Sequence, residues 1–392
     1  MQLRTILTLA VPSQTLASIG ALALLASCQG GEETAPRAHE LSLANADPAA
    51  FAAWHGGRGD EAAIYLQALD PAGRPDGSPR RISPPGFDAY EPDLIAVDGG
   101  LVVAWYGRDR ESGRLQAWLA GLDLSGTRQW LVPLQDGGKA KNPVVRHMGE
   151  ALHVAWLSQD DTGAMRVMHR RFGVDGRPLG APRQIARADH DTWNLNAAVL
   201  GERFFVIYDA ALDDGSDEAR LAMVEGDDAK AITLTPPDGH ASLYPDLQFG
   251  PDGTAALTWF DERDGNQEVY LQLFALRDGE LSPISEARRI THGPAQSIGA
   301  YLTWNGPRLG LAWSDDDNGQ RDIFLQTFDS KGKPLSPPRN LSQSAENSSV
   351  PAIRAYREGF LLAWNDYVMT EGGGHDTVTS STAHFALSGR SE

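Results

Sequence analysis

An aromatic residue returns along this chain at nearly constant intervals: Trp54, Trp105, Trp156, Tyr208, Trp259, Trp313 and Trp364. An apolar run precedes each one, FAAW, LVVAW, LHVAW, FFVIY, AALTW, LGLAW and FLLAW. These runs are short, rich in aliphatic and aromatic residues, and bounded by Gly or Asp, which is strand chemistry and too short for helices. A second aromatic follows the tryptophan by 11 positions in the clearest copies, Trp54 to Tyr65, Trp259 to Tyr270 and Trp313 to Phe324. A fixed period of about 50 residues decides the fold before any other signal is weighed.

Each unit contains the material for about four strands. A segment such as Pro92 to Val97 precedes the tryptophan strand, a strand such as Ile64 to Asp70 follows it, and a short one such as Arg80 to Ser83 closes it. Reverse turns of the form Asp70-Pro71-Ala72-Gly73 and Asp329-Ser330-Lys331-Gly332 join the last two, with Asp first and Gly fourth as a type I turn prefers. A four-stranded sheet of this size cannot bury both faces alone, so copies stack around an axis. The expectation is an all-β chain: a single seven-bladed β-propeller over residues 38–392. Blade four diverges, with Tyr208 for Trp. The last unit shows three strands, leaving that blade either short or supplemented by residues 36–43.

Residues 1–28 are set apart as a targeting segment. Leu25-Ala26-Ser27-Cys28 resembles the lipobox of bacterial lipoproteins, and Cys28 is the only cysteine, so no intramolecular disulfide is expected. The resemblance implies a signal peptide removed before a lipidated, palmitate-bearing Cys28. With Gln29 next, it implies an outer-membrane lipoprotein facing the periplasm or the cell surface. Residues 29–37 read as a polar tether.

The formal charge of −18, from 34 Lys and Arg against 52 Asp and Glu, excludes nucleic acid as an expected partner. Attachment to membrane is expected through the lipid alone, and the chain is expected to be a monomer. No H-E-x-x-H, G-x-S-x-G or P-loop pattern occurs.

Candidate functional residues lie in the loops between blades, which the repeat does not explain. His190, His240 and His292 stand at comparable positions, with Tyr90 and Tyr244 near Pro92 and Pro245, Glu91 beside Tyr90, and Trp193 unmatched. Imidazole and phenol near a carboxylate suit acid–base chemistry, including elimination from an acidic sugar. Trp193, Tyr244 and His240 equally suit binding. The leading expectation is a binding or scaffolding module for a protein or glycan of the cell envelope. The alternative is a polysaccharide-degrading enzyme, lyase or glycosidase, using His190, His240, His292, Tyr90 or Tyr244.

The acidic turns, above all Asp315 and Asp317, are the only metal candidates. They approximate a Ca²⁺ loop with Ser314 at the first ligand position and Leu325 where the bidentate Glu belongs, and their repetition across blades favours turn stabilisation. No cofactor other than Ca²⁺ is suggested.

The pattern W-x-D-x-R-x-G-x-x-x-[VI]-[YF], as in Trp259 to Tyr270, resembles the propeller repeats of bacterial surface and periplasmic proteins and, loosely, sialidase-type repeats. The sialidase motif S-x-D-x-G-x-T-W is absent in register, so the resemblance implies a fold and no particular chemistry.

Overall fold

A computed structural model describes residues 38–57, 61–159, 163, 165–188, 192, 194–212, 216–372 and 375–388, with backbone alone over 369–380. Cys28 and the tether lie outside the described residues, as do His190 and Trp193.

The described residues form strands and no helix, arranged as seven antiparallel sheets with strands in sequential order. The sheets span 39–81, 87–133, 139–188, 195–233, 242–289, 297–340 and 347–388. Their first strands, His39–Ala46, Phe87–Val97, Lys139–Met148, Leu195–Leu200, Ser242–Phe249, Ser297–Asn305 and Asn347–Tyr356, contact one another in that order. The last returns to the first. They line the axis of a seven-bladed propeller. Blade five splits its outer strand into Glu280–Pro283 and Arg288–Arg289. Blade seven has three strands, and residues 39–43 belong to the inner strand of blade one. The ring closes there through Ser381 Oγ donating to the Ala38 carbonyl and Tyr356 Oη donating to Pro48 O at 2.7 Å.

The repeated aromatic is the mortar of the ring. Seven apolar clusters fill the seven seams between blades, and each anchor packs into the seam shared with the preceding blade. Trp259 lies against Phe205 and Ile207 of blade four, and Trp54 against Tyr356 and Leu361 of blade seven. A buried indole removes roughly 150–250 Å² from water, worth about 4–6 kcal/mol per anchor at ~25 cal/mol/Å².

Strand alternation then sends the residue after each anchor to the opposite face of its sheet. Those residues are His55, Tyr106, Leu157, Asp209, Phe260, Ser314 and Asn365.

The turn residues behave as their chemistry dictates. The amides of Gly73, Gly126 and Gly332 donate to the carbonyls of Asp70, Asp123 and Asp329 at 2.8, 2.9 and 2.9 Å. All three glycines have φ between 72° and 78°, which a side chain would oppose.

Candidate functional site at the axial channel

Each inner strand except that of blade four carries a register shift against its neighbour. At that point the backbone turns left-handed in five blades: Glu40 at φ 48°, Glu91 at 49°, Asn142 at 49°, Tyr244 at 52° and Gly299 at 61°. Non-glycine residues in this region cost ~1–3 kcal/mol each and persist where the surroundings over-determine them. Here the recurring bulge sets a ring of side chains around a cavity of about 350 Å³ on the axis. All seven blades contribute to its walls.

The ring is chemically uneven. In the sector of blades one to three, Glu40, Glu91 and Asn142 meet His55 and Tyr106. Tyr106 Oη donates to Glu91 Oε1 at 2.9 Å, and Asn142 Nδ2 donates to Glu91 Oε2. The Glu91 amide donates to His55 Nδ1 at 3.4 Å, and Glu40 Oε2 lies 3.4 Å from the same nitrogen. Because Nδ1 accepts an N–H, the neutral imidazole carries its proton on Nε2. Tyr90 sits edge-on to His55 at 5.5 Å and tilted against Tyr106 at 5.7 Å.

Protonation follows from burial. Desolvation pushes the Glu91 carboxyl up to about 7, against the hydrogen bonds from Tyr106 and Asn142 and the charge of Lys141. Burial first, then the charge of Glu91, raises Glu40 well above the carboxylate range. Burial and neighbouring His39 hold His55 well below its ordinary value, so it is neutral. Burial raises the Tyr106 phenol, with nearby Glu91 and Glu40 adding to the effect. At neutral pH the cluster therefore holds a neutral imidazole, a protonated phenol, one carboxyl poised to give or take a proton, and beside them a second carboxyl whose proton affinity burial has raised.

The sector of blades four and five is aromatic. Tyr244 lines the cavity with its ring stacked on Phe260, centroids 5.4 Å apart at 21°. Its amide donates to Asp209 Oδ2 at 3.1 Å, and burial lifts the Asp209 carboxyl to about 7. Tyr301 completes this wall.

Other acids of the channel are structural. Asp93 Oδ2 accepts from the Val145 amide at 2.7 Å, and Asp246 Oδ2 accepts from the Leu302 amide at 3.0 Å. In both cases a carboxylate of one blade ties down the backbone of the next. Ser42 does the same for Leu94, at 3.0 Å.

The residues singled out from sequence separate accordingly. Tyr244 lines the cavity, and Tyr90 packs beside it on His55. These two are not equivalents: one residue before the proline stands Tyr244 in blade five and Glu91 in blade two, so the counterpart of Tyr90 is Leu243. His240 and His292 are exposed and do not line the cavity. The His240 amide donates to Asp238 Oδ1 in a turn, at 3.1 Å.

Asp315 and Asp317 are engaged in the fold. Asp315 accepts from Ser297 Oγ at 2.8 Å and the Asp317 amide at 3.0 Å, and Asp317 accepts from the Ala295 amide at 2.9 Å. Among the described residues no group of three or more His, Cys, Asp or Glu is placed to hold a metal ion.

Sequence reasoning does not single out Glu40, His55 or Tyr106. Their signal is positional: His55 and Tyr106 each follow a repeat anchor, and Glu40 lies 51 residues before Glu91, as Glu91 does before Asn142. Trp193 stands 51 residues from both Asn142 and Tyr244, in the same sequence register.

No family model matches the chain, and no curated protein matches it. Solved structures do match. An ulvan lyase of a polysaccharide lyase family, bound to -[GlcA(1-4)Rha3S]-, superposes with a TM-score of 0.62 at 9% identity over 92% of this chain and 96% of that one. A protein of unknown function from Dyadobacter fermentans gives 0.54 at 12% identity, covering 90% and 95%. An α-L-arabinanase from Penicillium chrysogenum, complexed with arabinobiose, gives 0.52 at 14% identity, covering 76% and 93%. At these identities the likeness is one of fold.

Proposed function

We propose that the protein cleaves a polysaccharide at the axial channel by proton exchange centred on Glu91. The observation that supports this reading is a carboxyl held near pH 7 at a strained backbone position, in contact with a phenol and beside a neutral imidazole and a second buried carboxyl. Perturbed titration inside a concave site is what acid–base catalysis requires. Glu91 supplies the exchangeable proton site and Tyr106 a phenol already bonded to it. Glu40, its carboxyl raised by burial, lines the same cavity and offers a polar contact to a hydroxyl or acidic group of the substrate. Tyr244 on Phe260 gives a flat face for a sugar ring. The solved propellers of similar fold include proteins named as a polysaccharide lyase and an arabinanase, which is compatible with this chemistry.

The decisive experiment incubates the mature protein with a panel of neutral and uronate-containing polysaccharides. Reducing ends and the ultraviolet absorbance of unsaturated products are followed, the two signals separating hydrolysis from elimination. Glu91→Gln is expected to lower the rate by ~10²–10⁴ while remaining folded. A wild-type protein that releases no product from any member of the panel would sink the enzymatic reading.

The second reading, glycan capture without cleavage, is favoured by the Tyr244–Phe260 pair. It predicts retention of polysaccharide by wild type and Glu91→Gln alike, weakened by Tyr244→Ala, with no product formed. In either reading we place the protein in the cell envelope on a lipid attached to Cys28. Loss of lipid labelling in Cys28→Ala is expected, and undiminished labelling would overturn that placement.

A further inference from the structure

The same channel has a second charged layer. Four positions beyond the bulge, roughly 13 Å further along the inner strands, stand Arg146, Gln248 and Arg354, all lining the cavity. We propose that Arg354, assisted by Arg146, binds a single oxyanion (carboxylate, sulfate or phosphate) in this layer. The assignment goes beyond the cleavage reading and stands whether or not the glutamate layer cleaves anything.

The two arginines differ in how they are satisfied. Arg146 is built into the wall: Nη1 donates to Asp93 Oδ2 at 2.8 Å and to Val145 O at 2.6 Å, and Nε to Ala197 O at 2.8 Å. Arg354 has one hydrogen bond among the described residues, from Nη1 to the adjacent Ile353 carbonyl at 3.0 Å, and no described carboxylate pairs with it. A guanidinium carries five N–H donors, and Arg354 lines the cavity with most of its own unengaged among the described residues. The nearest acids do not take them up. Asp93 is engaged by Arg146 and the Val145 amide, and Asp246 by the Leu302 amide and Gln248 Nε2 at 3.2 Å.

A half-buried charge with no ion-pair partner is costly. Burial and repulsion from Arg146 push the Arg354 guanidinium below its ordinary value, with Asp93 and Asp246 opposing. Two cations lining one cavity, one of them with most of its donors unspent, match the several acceptor oxygens of an oxyanion.

The test is the thermal unfolding midpoint of the full protein at fixed ionic strength. Sulfate, acetate, glucuronate and neutral glucose are added in turn against a chloride control. The oxyanions are expected to raise the midpoint in wild type, and the increment should vanish in Arg354→Met and survive in part in Arg354→Lys. Equal rises with sulfate and acetate identify a free anion as the ligand, whereas a rise with glucuronate alone identifies the acidic group of a saccharide. In chloride alone, Arg354→Met should melt no lower than wild type, because it removes an uncompensated charge.

No increment with any oxyanion, an equal increment in Arg354→Met, or an equal increment with glucose would overturn the proposal. Should Arg354→Met fail to fold, calorimetric titration of sulfate into wild type and Arg354→Lys decides the same question: heat of binding in wild type that weakens in the lysine variant supports the site, and no heat in wild type overturns it. Glu91→Gln keeps the increment even where it abolishes cleavage, so failure of the site and failure of the enzymatic reading are separable.

Discussion

Blades five to seven and blades one and two use the same tryptophan in opposite ways. In the former, the residue two beyond the tryptophan is an aspartate that accepts the indole N–H: Trp259 to Asp261 at 2.8 Å, Trp313 to Asp315 at 3.4 Å, Trp364 to Asp366 at 3.0 Å. A serine of the inner strand donates to the same carboxylate, Ser242 at 3.1 Å, Ser297 at 2.8 Å and Ser348 at 2.7 Å. In blades one and two the aspartate is replaced by Gly56 and Gly107, and the intervening residue becomes His55 or Tyr106. Where the acid is present it is consumed in joining strands. In blades one and two, where it is absent, the preceding residue enters the cluster around Glu91. The repeat holds the ring, and its interruption makes the site.

The largest test of that contrast removes the acid where it is structural. Asp261 is fully buried and also accepts from Arg263 Nε at 2.8 Å and Nη2 at 2.6 Å. Asp261→Ala leaves a buried indole N–H and a serine hydroxyl without this acceptor, and leaves the Arg263 guanidinium with Asp238 alone, at 3.5 Å. A loss of about 3–5 kcal/mol in denaturant unfolding is expected. A loss below ~1 kcal/mol would mean that the triad does not hold the blade.

The reciprocal change builds side-chain volume into the blade that lacks the acid. A Cβ on Gly107 would sit 2.6 Å from the Asp88 carbonyl oxygen, which is backbone and cannot rotate away. Gly107→Ala should therefore cost about 1–3 kcal/mol. A neutral or stabilising result would show that blade two is not closed to the aspartate by sterics.

These two cases mark how much the sequence discloses. The seven anchors and their buried strands are legible because burying an indole requires the same short pattern in every blade. Asp315 and Asp317 are legible as turn residues for the same reason. The site is not, because His240 and His292 look exceptional only in loops, whereas His55 and Tyr106 sit inside strands that the repeat already accounts for. The bulge that turns Glu40 and Glu91 into the channel is a backbone conformation, and its sequence trace is one residue before a proline in four blades and nothing in the others. Tyr90 and Tyr244 resemble each other by proximity to proline, yet a shift of one position sends a side chain to another face.

Buried acids and buried imidazoles also predict opposite pH slopes. Glu91 and Asp209 have folded values near 7, above the ordinary 4.5 and 3.8, so the folded state keeps protons that the unfolded chain releases. Their contribution is complete in acid and is lost as pH rises through about 7. His153 and His169, in contact at 3.1 Å and buried against Phe204, are held at about 4 and about 3. Burial is the first cause for each, followed by Arg171 for His153 and by His153 for His169. Their contribution is present above the ordinary 6.5 and is lost as pH falls. Between about pH 4.5 and 7, Glu91→Gln should remove up to about 1.4 kcal/mol per pH unit of the fall in stability with rising pH, and His169→Gln should remove the opposing rise between about 3 and 6.5. An unchanged slope between 4.5 and 7 in Glu91→Gln would show that this carboxyl does not titrate near 7.

The finest comparison lies within the tryptophans themselves. Trp54 Nε1 is buried and has no hydrogen-bond partner among the described residues, since Gly56 offers no carboxylate. Replacing each indole by a phenyl ring removes similar apolar volume, so the differences between variants isolate the N–H. Trp259→Phe should exceed Trp54→Phe by about 1.5–3 kcal/mol, the range for a hydrogen bond to a charged acceptor. Trp364→Phe should fall slightly below Trp259→Phe. Trp313→Phe, whose bond is stretched to 3.4 Å, should approach Trp54→Phe. Urea midpoints measured side by side decide the order. If Trp54→Phe proved as costly as Trp259→Phe, the blade-one indole would have a partner after all, and the division between blades that hold the ring and blades that build the site would lose its physical basis.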